Sequence, residues 1–181
     1  MIETLISSKT RIKLLLKFFL NSSNRTYLRS LAQEFDESTN AIRVELNRFE
    51  EAGMLYSEME GNKKFFSANI KHPLFREIHN IVLKYVGIDH IVEHIIKRLG
   101  NLKKVYLVGK FSQGLNSEII DLVFVGEIEK SYLLELIEKA EPLIQRKIRF
   151  VCYNEEEFTS DKLALYKPVP LLLWEKAADT K

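Results

Sequence analysis

Two short amphipathic segments that follow each other closely constrain the fold of this chain more than any other feature. The first begins near Thr26, which can cap a helix, and its apolar residues recur at the spacing of one helical face through Phe35. The second begins at a cap supplied by Asp36 or Ser38 and ends before Gly53, where a left-handed residue suits the end of a helix. So short a gap predicts two helices joined by a tight turn.

An apolar helix is predicted before this pair and a β-hairpin after it. Residues 4–20 are rich in Leu and Phe, but Lys17 interrupts the run, which is too short for a bilayer crossing and indicates a buried helix. Residues 54–57 and 64–67 are strand-like and flank a Gly-Asn turn. Three helices and a hairpin predict a winged helix-turn-helix over residues 1–71.

The polar face of the third predicted helix carries side chains suited to a DNA major groove. Asn can pair with adenine and Arg with guanine in bidentate fashion, and the N-terminus of a helix suits phosphate. Two lysines at the hairpin tip can reach a flanking phosphate. A solvated face without function is the alternative interpretation. The predicted contacts to double-stranded DNA are Ser38, Thr39, Asn40, Arg43, Asn47, Arg48, Lys63 and Lys64.

The distribution of charge and the cysteine content indicate which partners and which cellular compartment to expect. Residues 1–31 carry six Lys and Arg against one Glu, whereas residues 72–181 carry sixteen of each sign. Any polyanion is therefore expected to meet the N-terminal part. The single cysteine, Cys152, cannot form an internal disulfide, which favours the cytoplasm and excludes a thiolate zinc site.

The spacing of apolar residues within 72–100 predicts two connecting helices, which end at Gly87 and Gly100. Their apolar stripes need a partner, and a homodimer would supply one, because DNA half-sites are usually bound by two-fold dimers. His90 and His94 have the H-x-x-E-H spacing of a zinc site. A solvated helix face is the favoured interpretation, since a third ligand is missing.

Residues 101–181 predict an α/β layer, so that the whole chain belongs to the α+β class. Strands are predicted at residues 103–109, 119–125 and 148–153, with a helix between the last two. The run 169–174 is expected to form an edge strand or to pack beneath the sheet, and its prolines favour the edge.

Residues 8–15, 27–32, 37–48 and 51–55 resemble the winged-helix part of prokaryotic transcription regulators similar to the ArsR and MarR groups. More narrowly, the chain resembles the subset in which a winged helix is fused to a nucleotidyltransferase-like domain, and this resemblance covers nearly its whole length. It implies a dimeric, sequence-specific DNA-binding protein.

Residues 108–114 and 121–125 resemble the minimal nucleotidyltransferases of the DNA polymerase beta superfamily. In that family a Gly-Ser pair opens a loop to the triphosphate, and an Asp-x-Asp pair and a third Asp on a later strand serve two magnesium ions. Here Lys110 replaces the Ser, Ile119 the first Asp, and Arg149 lies near the third position, so that Asp121 alone is kept. Glu118 should point to the opposite face and miss the metal.

One carboxylate is a poor cage for magnesium, so the resemblance implies an inactive transferase with no catalytic residue, metal or cofactor. The former cleft could still bind a nucleotide or another anionic small molecule, through Gly109, Lys110, Ser112, Asp121 and Arg149. A domain kept for dimerisation or partner binding is the alternative.

Three functions follow from these patterns. The first is a transcription regulator with domains at residues 1–71, 72–100 and 101–181. The second is an active nucleotidyltransferase that modifies a protein or RNA partner. The third is a module whose winged helix binds protein rather than DNA.

Overall fold

The computed structural model describes residues 2–177 and the side chains of residues 4–177. It confirms an α+β protein with two separate sheets. The chain divides between Tyr85 and Val86 into two compact units. The finer division into three predicted domains stays a prediction, and its ends, Met1 and residues 178–181, lie outside the described residues.

The N-terminal unit contains helices, a short strand, a hairpin and a last helix that ends one residue into the second unit. The elements are α1 Ile2–Leu5, α2 Lys9–Leu15, a π-helix at Leu16–Leu20, β1 Arg25–Tyr27, α3 Leu28–Phe35, α4 Thr39–Glu51, β2 Leu55–Glu60, β3 Lys63–Ala68 and α5 Phe75–Val86. Strand β3 lies between β1 and β2 in an antiparallel sheet.

The first predicted helix is interrupted rather than continuous over residues 4–20. Ser8 caps α2, because its hydroxyl accepts a hydrogen bond from the Arg11 backbone N–H at 3.2 Å. The last turn of this helical segment widens into the π-helix. A local cap and a change of helix type therefore divide what the apolar pattern presents as one element.

Thr26 does not cap α3, as the sequence suggested, but lies in β1 opposite Phe66 of β3. Pairing with a distant strand thus wins over the local cap. Asp36 takes a left-handed conformation at the end of α3, while Ser38 caps α4 through a bond from the Ala41 N–H. Gly53 follows α4 with a φ of 70°, as predicted for a helix end.

The π-helix lies in the core of the N-terminal unit. All five of its residues are buried, Lys17 among them. The Lys17 Nζ lies 2.6 Å from Glu34 Oε1, which supplies the partner that a buried ammonium requires. No helix within residues 2–177 is long and apolar enough to cross a membrane.

The C-terminal unit combines a four-stranded sheet with helices. Its elements are α6 Ile88–His94, a 3-10 turn at Ile96–Arg98, β4 Leu102–Val108, α7 Gly109–Ser112, β5 Ile119–Gly126, α8 Lys130–Ile144, β6 Lys147–Tyr153, α9 Ser160–Leu165 and β7 Leu171–Glu175. The second connecting helix was expected to run to Leu99, but it is α-helical only as far as His94.

The strand order β6-β5-β4-β7 places the final apolar run at an edge of the sheet, beside β4. Strands β5 and β6 are parallel, with α8 as their connection, and the other pairs are antiparallel. The register sets Asp121 opposite Val108 of β4 and opposite Arg149 of β6. This register determines which side chains meet at the carboxyl end of β4.

Removing the acid of the buried ion pair should destabilise the N-terminal unit. We expect Glu34→Gln to lower the free energy of unfolding by about 2 kcal/mol, because Lys17 then lacks its counter-ion while the site keeps some access to water. Urea unfolding followed by circular dichroism measures it. Glu77→Gln, at an exposed position of α5, should change stability by less than about 0.5 kcal/mol, and equal losses in both variants would contradict the assignment.

Candidate functional site

The polar face predicted for the third helix lies on the surface as one side of α4. Ile42, Leu46 and Phe49 are buried on the opposite side and fix the orientation of the helix. Five of the predicted DNA contacts are exposed along α4 and its cap, and a sixth, Arg48, is exposed but paired. These residues are Ser38, Thr39, Asn40, Arg43, Asn47 and Arg48.

Glu45 fastens α4 to α2 from the buried side. Its carboxylate accepts hydrogen bonds from Arg11 Nε at 2.9 Å and Nη2 at 3.3 Å, and from Arg48 Nη1 at 3.2 Å. Burial opposes ionisation, but the bonds from Arg11 outweigh it and hold the pKa of Glu45 below its ordinary value. Arg48 is therefore shared between the exposed face and this internal network.

The predicted hairpin cations are engaged within the protein. Lys64 Nζ lies 2.6 Å from Glu50 Oε2, and the Lys63 ammonium lies 4.6 Å from the centroid of the Tyr27 ring. Hydrogen bonds from Lys64 and Ser57 lower the pKa of Glu50 and keep it ionised. A phosphate would have to replace Glu50 as the partner of Lys64.

The basic excess of residues 1–31 does not form an equally basic surface, which corrects the expectation drawn from sequence charge. Four of its six cations pair with acids that follow later in the chain. The pairs are Arg11 with Glu45, Lys13 with Glu37, Lys17 with Glu34, and Arg25 with Glu58 and Glu60. These acids lie outside the window over which the charge was counted.

Arg29 is a cation that the sequence-based site did not include. It is exposed in the first turn of α3 and makes no ion pair with the side chains described, those of residues 4–177. A signal was present in the sequence, because Ala32 and Gln33, three and four residues on, offer no acid at helical spacing.

In the C-terminal unit three of the predicted cleft residues come together at the end of β4. Arg149 Nε donates to Asp121 Oδ1 at 2.5 Å, and the bond raises the pKa of the guanidinium. Gly109 has a φ of 68°, and a Cβ there would lie 2.6 Å from Asp121 Oδ2. The glycine therefore permits both the left-handed backbone and the close carboxylate.

A cavity of about 290 Å³ opens beside this group, and Gly109, Asp121 and Arg149 line it. Tyr166 and Lys167, which the sequence analysis missed, also line it. Burial and a hydrogen bond with Tyr153 at 3.0 Å raise the pKa of Tyr166 to about 12.

The other two predicted cleft residues do not line this cavity. Lys110 is exposed elsewhere, and Ser112 is buried with its hydroxyl donating to the Gly109 carbonyl at 2.9 Å. Glu118 precedes β5 and lines a different cavity with Glu138 and Arg146, so it does not replace the missing acid beside Asp121.

His90 and His94 stack on one face of α6, with ring centroids 5.6 Å apart. Among the side chains of residues 4–177 no three His, Cys, Asp or Glu are grouped so that they could hold a metal ion. In the cavity beside β4, Asp121 and Arg149 form a carboxylate–guanidinium pair at positions where the resemblance to nucleotidyltransferases would place metal ligands.

Three solved structures show only loose likeness to this chain, each with a TM-score of 0.37. Reduced HlyU from Vibrio cholerae is 12% identical, with 46% of this chain and 82% of that chain covered. AF1382 from Archaeoglobus fulgidus is 20% identical, over 45% and 93%. The tri-AMPylated HEPN toxin in complex with MNT antitoxin from Shewanella oneidensis is 14% identical, over 50% and 71%. No protein-family model and no curated protein matches the chain.

The network around Glu45 predicts a loss of stability in acid. Because the pKa of Glu45 is lowered by folding, its stabilising effect is present above the ordinary value of 4.5 and is lost as the pH falls through the lowered value. We expect the free energy of unfolding to fall less between about pH 6 and pH 3 in Glu45→Gln than in the wild type. Glu51→Gln, exposed on the same helix, should keep the wild-type slope, and a wild-type slope in Glu45→Gln would contradict the prediction.

Proposed function

We propose that the protein is a sequence-specific, DNA-binding transcription regulator of the cytoplasm. Its winged helix-turn-helix comprises residues 1–71, connecting helices follow at 72–100, and residues 101–181 form a nucleotidyltransferase-like domain without catalytic activity. The observation that carries the proposal is the exposed polar face of α4 held on an apolar core. Cys152, a free thiol, fits a reducing compartment.

The side chains on α4 match the chemistry of base edges in a major groove. Arg43 and Asn47 lie one helical turn apart and are both exposed, so they would meet neighbouring base pairs, guanine for Arg and adenine for Asn. Thr39 and Asn40 in the first turn would bind the phosphate backbone and set the register.

The hairpin would act as a wing with a smaller contribution than α4. Lys63 and Lys64 lie at the start of β3, next to the turn at Gly61. Since Lys64 must exchange Glu50 for a phosphate, its net gain is reduced by the ion pair it loses.

A homodimer is part of the proposal, because two-fold dimers read paired half-sites. Helix α5 supports it: Ile81 is 52% exposed on this helix, and Leu74, immediately before it, is 53% exposed. Large apolar side chains at such exposure are suited to a protein interface.

The proposal excludes catalysis by the C-terminal unit. Phosphoryl transfer needs metal ions held by hard oxygen ligands. Asp121 is already bonded to Arg149, and Ile119, on the same face of β5, offers no ligand. An active nucleotidyltransferase is therefore the less supported function.

Replacing Arg43 by Ala tests the recognition surface. Against DNA fragments selected by this protein from its native genome, we expect a loss of about 1–3 kcal/mol and relaxed preference at one base pair. Fluorescence anisotropy with single-base variants of the site measures both. Arg98→Ala, an exposed arginine of the C-terminal unit, is the matched control and should bind like the wild type.

The salt dependence of the same binding counts the phosphate contacts, and two substitutions separate the wing from α4. With about five phosphate contacts, the logarithm of the affinity should fall with the logarithm of salt at a slope near −0.9 for each contact. Lys64→Ala should weaken all sequences alike, whereas Arg43→Ala should alter preference. Failure to bind any duplex even at low salt would contradict DNA binding and would leave the protein-binding module as the alternative to test.

Incubation with labelled nucleotide triphosphate and magnesium tests the enzymatic alternative. We expect no labelled product on the protein, or on proteins and RNA of the native cell extract, because Asp121 is a single carboxylate neutralised by Arg149. Labelled product that disappears in Asp121→Asn would establish the activity and refute this part of the proposal.

A further inference from the structure

The cavity at the end of β4 has an unusual charge arrangement for a former metal site. Among the residues that line it are two basic ones, Arg149 and Lys167, and one acidic one, Asp121, together with Tyr166 and Gly109. A metal site of this fold would need an excess of acids. Here the excess is basic, so the site suits an anion directly.

Part of the Arg149 guanidinium remains available to a ligand. Its side chain is 72% exposed, and Asp121 accepts a hydrogen bond from its Nε–H alone. Its Nη groups make no hydrogen bond to the side chains described, those of residues 4–177. A guanidinium carries five N–H donors in a planar fork that matches phosphate oxygens. The free part of the fork can therefore receive a phosphate without a metal ion between them.

The remaining lining favours a small organic phosphate. The volume of about 290 Å³ lies at the lower end of ligand cavities, which suits a mononucleotide or a fragment of a larger ligand. Tyr166 keeps its proton at neutral pH, since its pKa is about 12, so it adds an aromatic surface and no negative charge.

We propose that this cavity binds a phosphate-bearing small molecule without a divalent metal, through Arg149 and Lys167. Asp121 acts as an internal competitor that holds Arg149 while the cavity is empty. This inference rests on the proposed loss of catalysis in the C-terminal unit and adds the ligand class and its anion contacts. It does not depend on DNA binding, which involves residues of the other unit.

The substitution Asp121→Asn distinguishes this site from a metal-dependent one, because the two kinds of site predict opposite changes in ligand affinity. In a metal site, Asp121→Asn removes a ligand and weakens nucleotide binding. In the site proposed here, the same change removes the competitor of the phosphate and the repulsion of its charge. Because exposed ion pairs contribute little, we expect tighter binding by about threefold.

Isothermal titration of the full chain tests the proposal, with inorganic phosphate, pyrophosphate, AMP and ATP as probes, each in EDTA and in magnesium. We expect at least one probe to bind in EDTA with an affinity that magnesium does not raise. Arg149→Gln and Lys167→Gln should each weaken it by about tenfold, as loss of a charge-assisted hydrogen bond does. Arg98→Gln, on the same unit but outside the cavity, is the matched control.

The probes also identify the source of the phosphate. Equal binding of pyrophosphate and nucleotides supports the site with phosphate as its determinant, and tighter binding of nucleotides supports it with the base as an added contact. Absence of heat for every probe at millimolar concentration overturns the proposal, as does binding only in magnesium or weaker binding by Asp121→Asn. Circular dichroism of each variant excludes unfolding, and unchanged DNA binding by Arg149→Gln keeps this result separate from that of the regulator.

Discussion

Ion pairs between the first helical segment and the two helices after it are the constraint on which the N-terminal unit depends. Lys17 with Glu34 lies inside the core, and Arg11 with Glu45 joins α2 to α4. Buried charges tolerate few alternative partners, so these pairs hold the first helical segment against α3 and α4, while the burial of Ile42, Leu46 and Phe49 sets the outward face of α4. The ion pairs also determine which cations of the N-terminal unit remain available to a binding partner. In the proposed function, the surface that meets DNA is consequently centred on Arg43 and its neighbours on α4 rather than on the basic N-terminus.

The C-terminal unit also contains a carboxylate–cation pair, but this pair lies beside a cavity and is more exposed. The pair between Asp121 and Arg149 lies at the rim of a cavity, where one partner remains largely exposed. An exposed pair can be exchanged for a ligand at little cost, while a buried one cannot. The buried pair of the N-terminal unit, Lys17 with Glu34, is thus fixed, whereas the pair beside the cavity of the C-terminal unit is exchangeable.

Much of the fold could be predicted where local chemistry decides it. The Ser38 cap, the left-handed Gly53 and the hairpin around Gly61 depend on neighbours in sequence. The position of Arg149 near Asp121 was expected only from the resemblance to nucleotidyltransferases, and the register of β5 and β6 sets the two residues opposite each other. What escaped prediction depends on distant partners. Thr26 joins a strand some forty residues away, and Lys167 reaches the cavity through a segment with no regular pattern. The paired cations of residues 1–31 were missed for the same reason, because their acids lie further along the chain, on α3, on α4, on β2 and in the turn between α3 and α4.

The π-helix at residues 16–20 limits how this protein can change. Hydrophobic exchanges that keep volume are tolerated in well-packed cores. A wider helix turn, however, offsets the faces of the segments on either side of it. Deleting or inserting one residue there would rotate Arg11 and Lys13 away from Glu45 and Glu37. The length of this stretch, more than its composition, should therefore be invariant among functional variants.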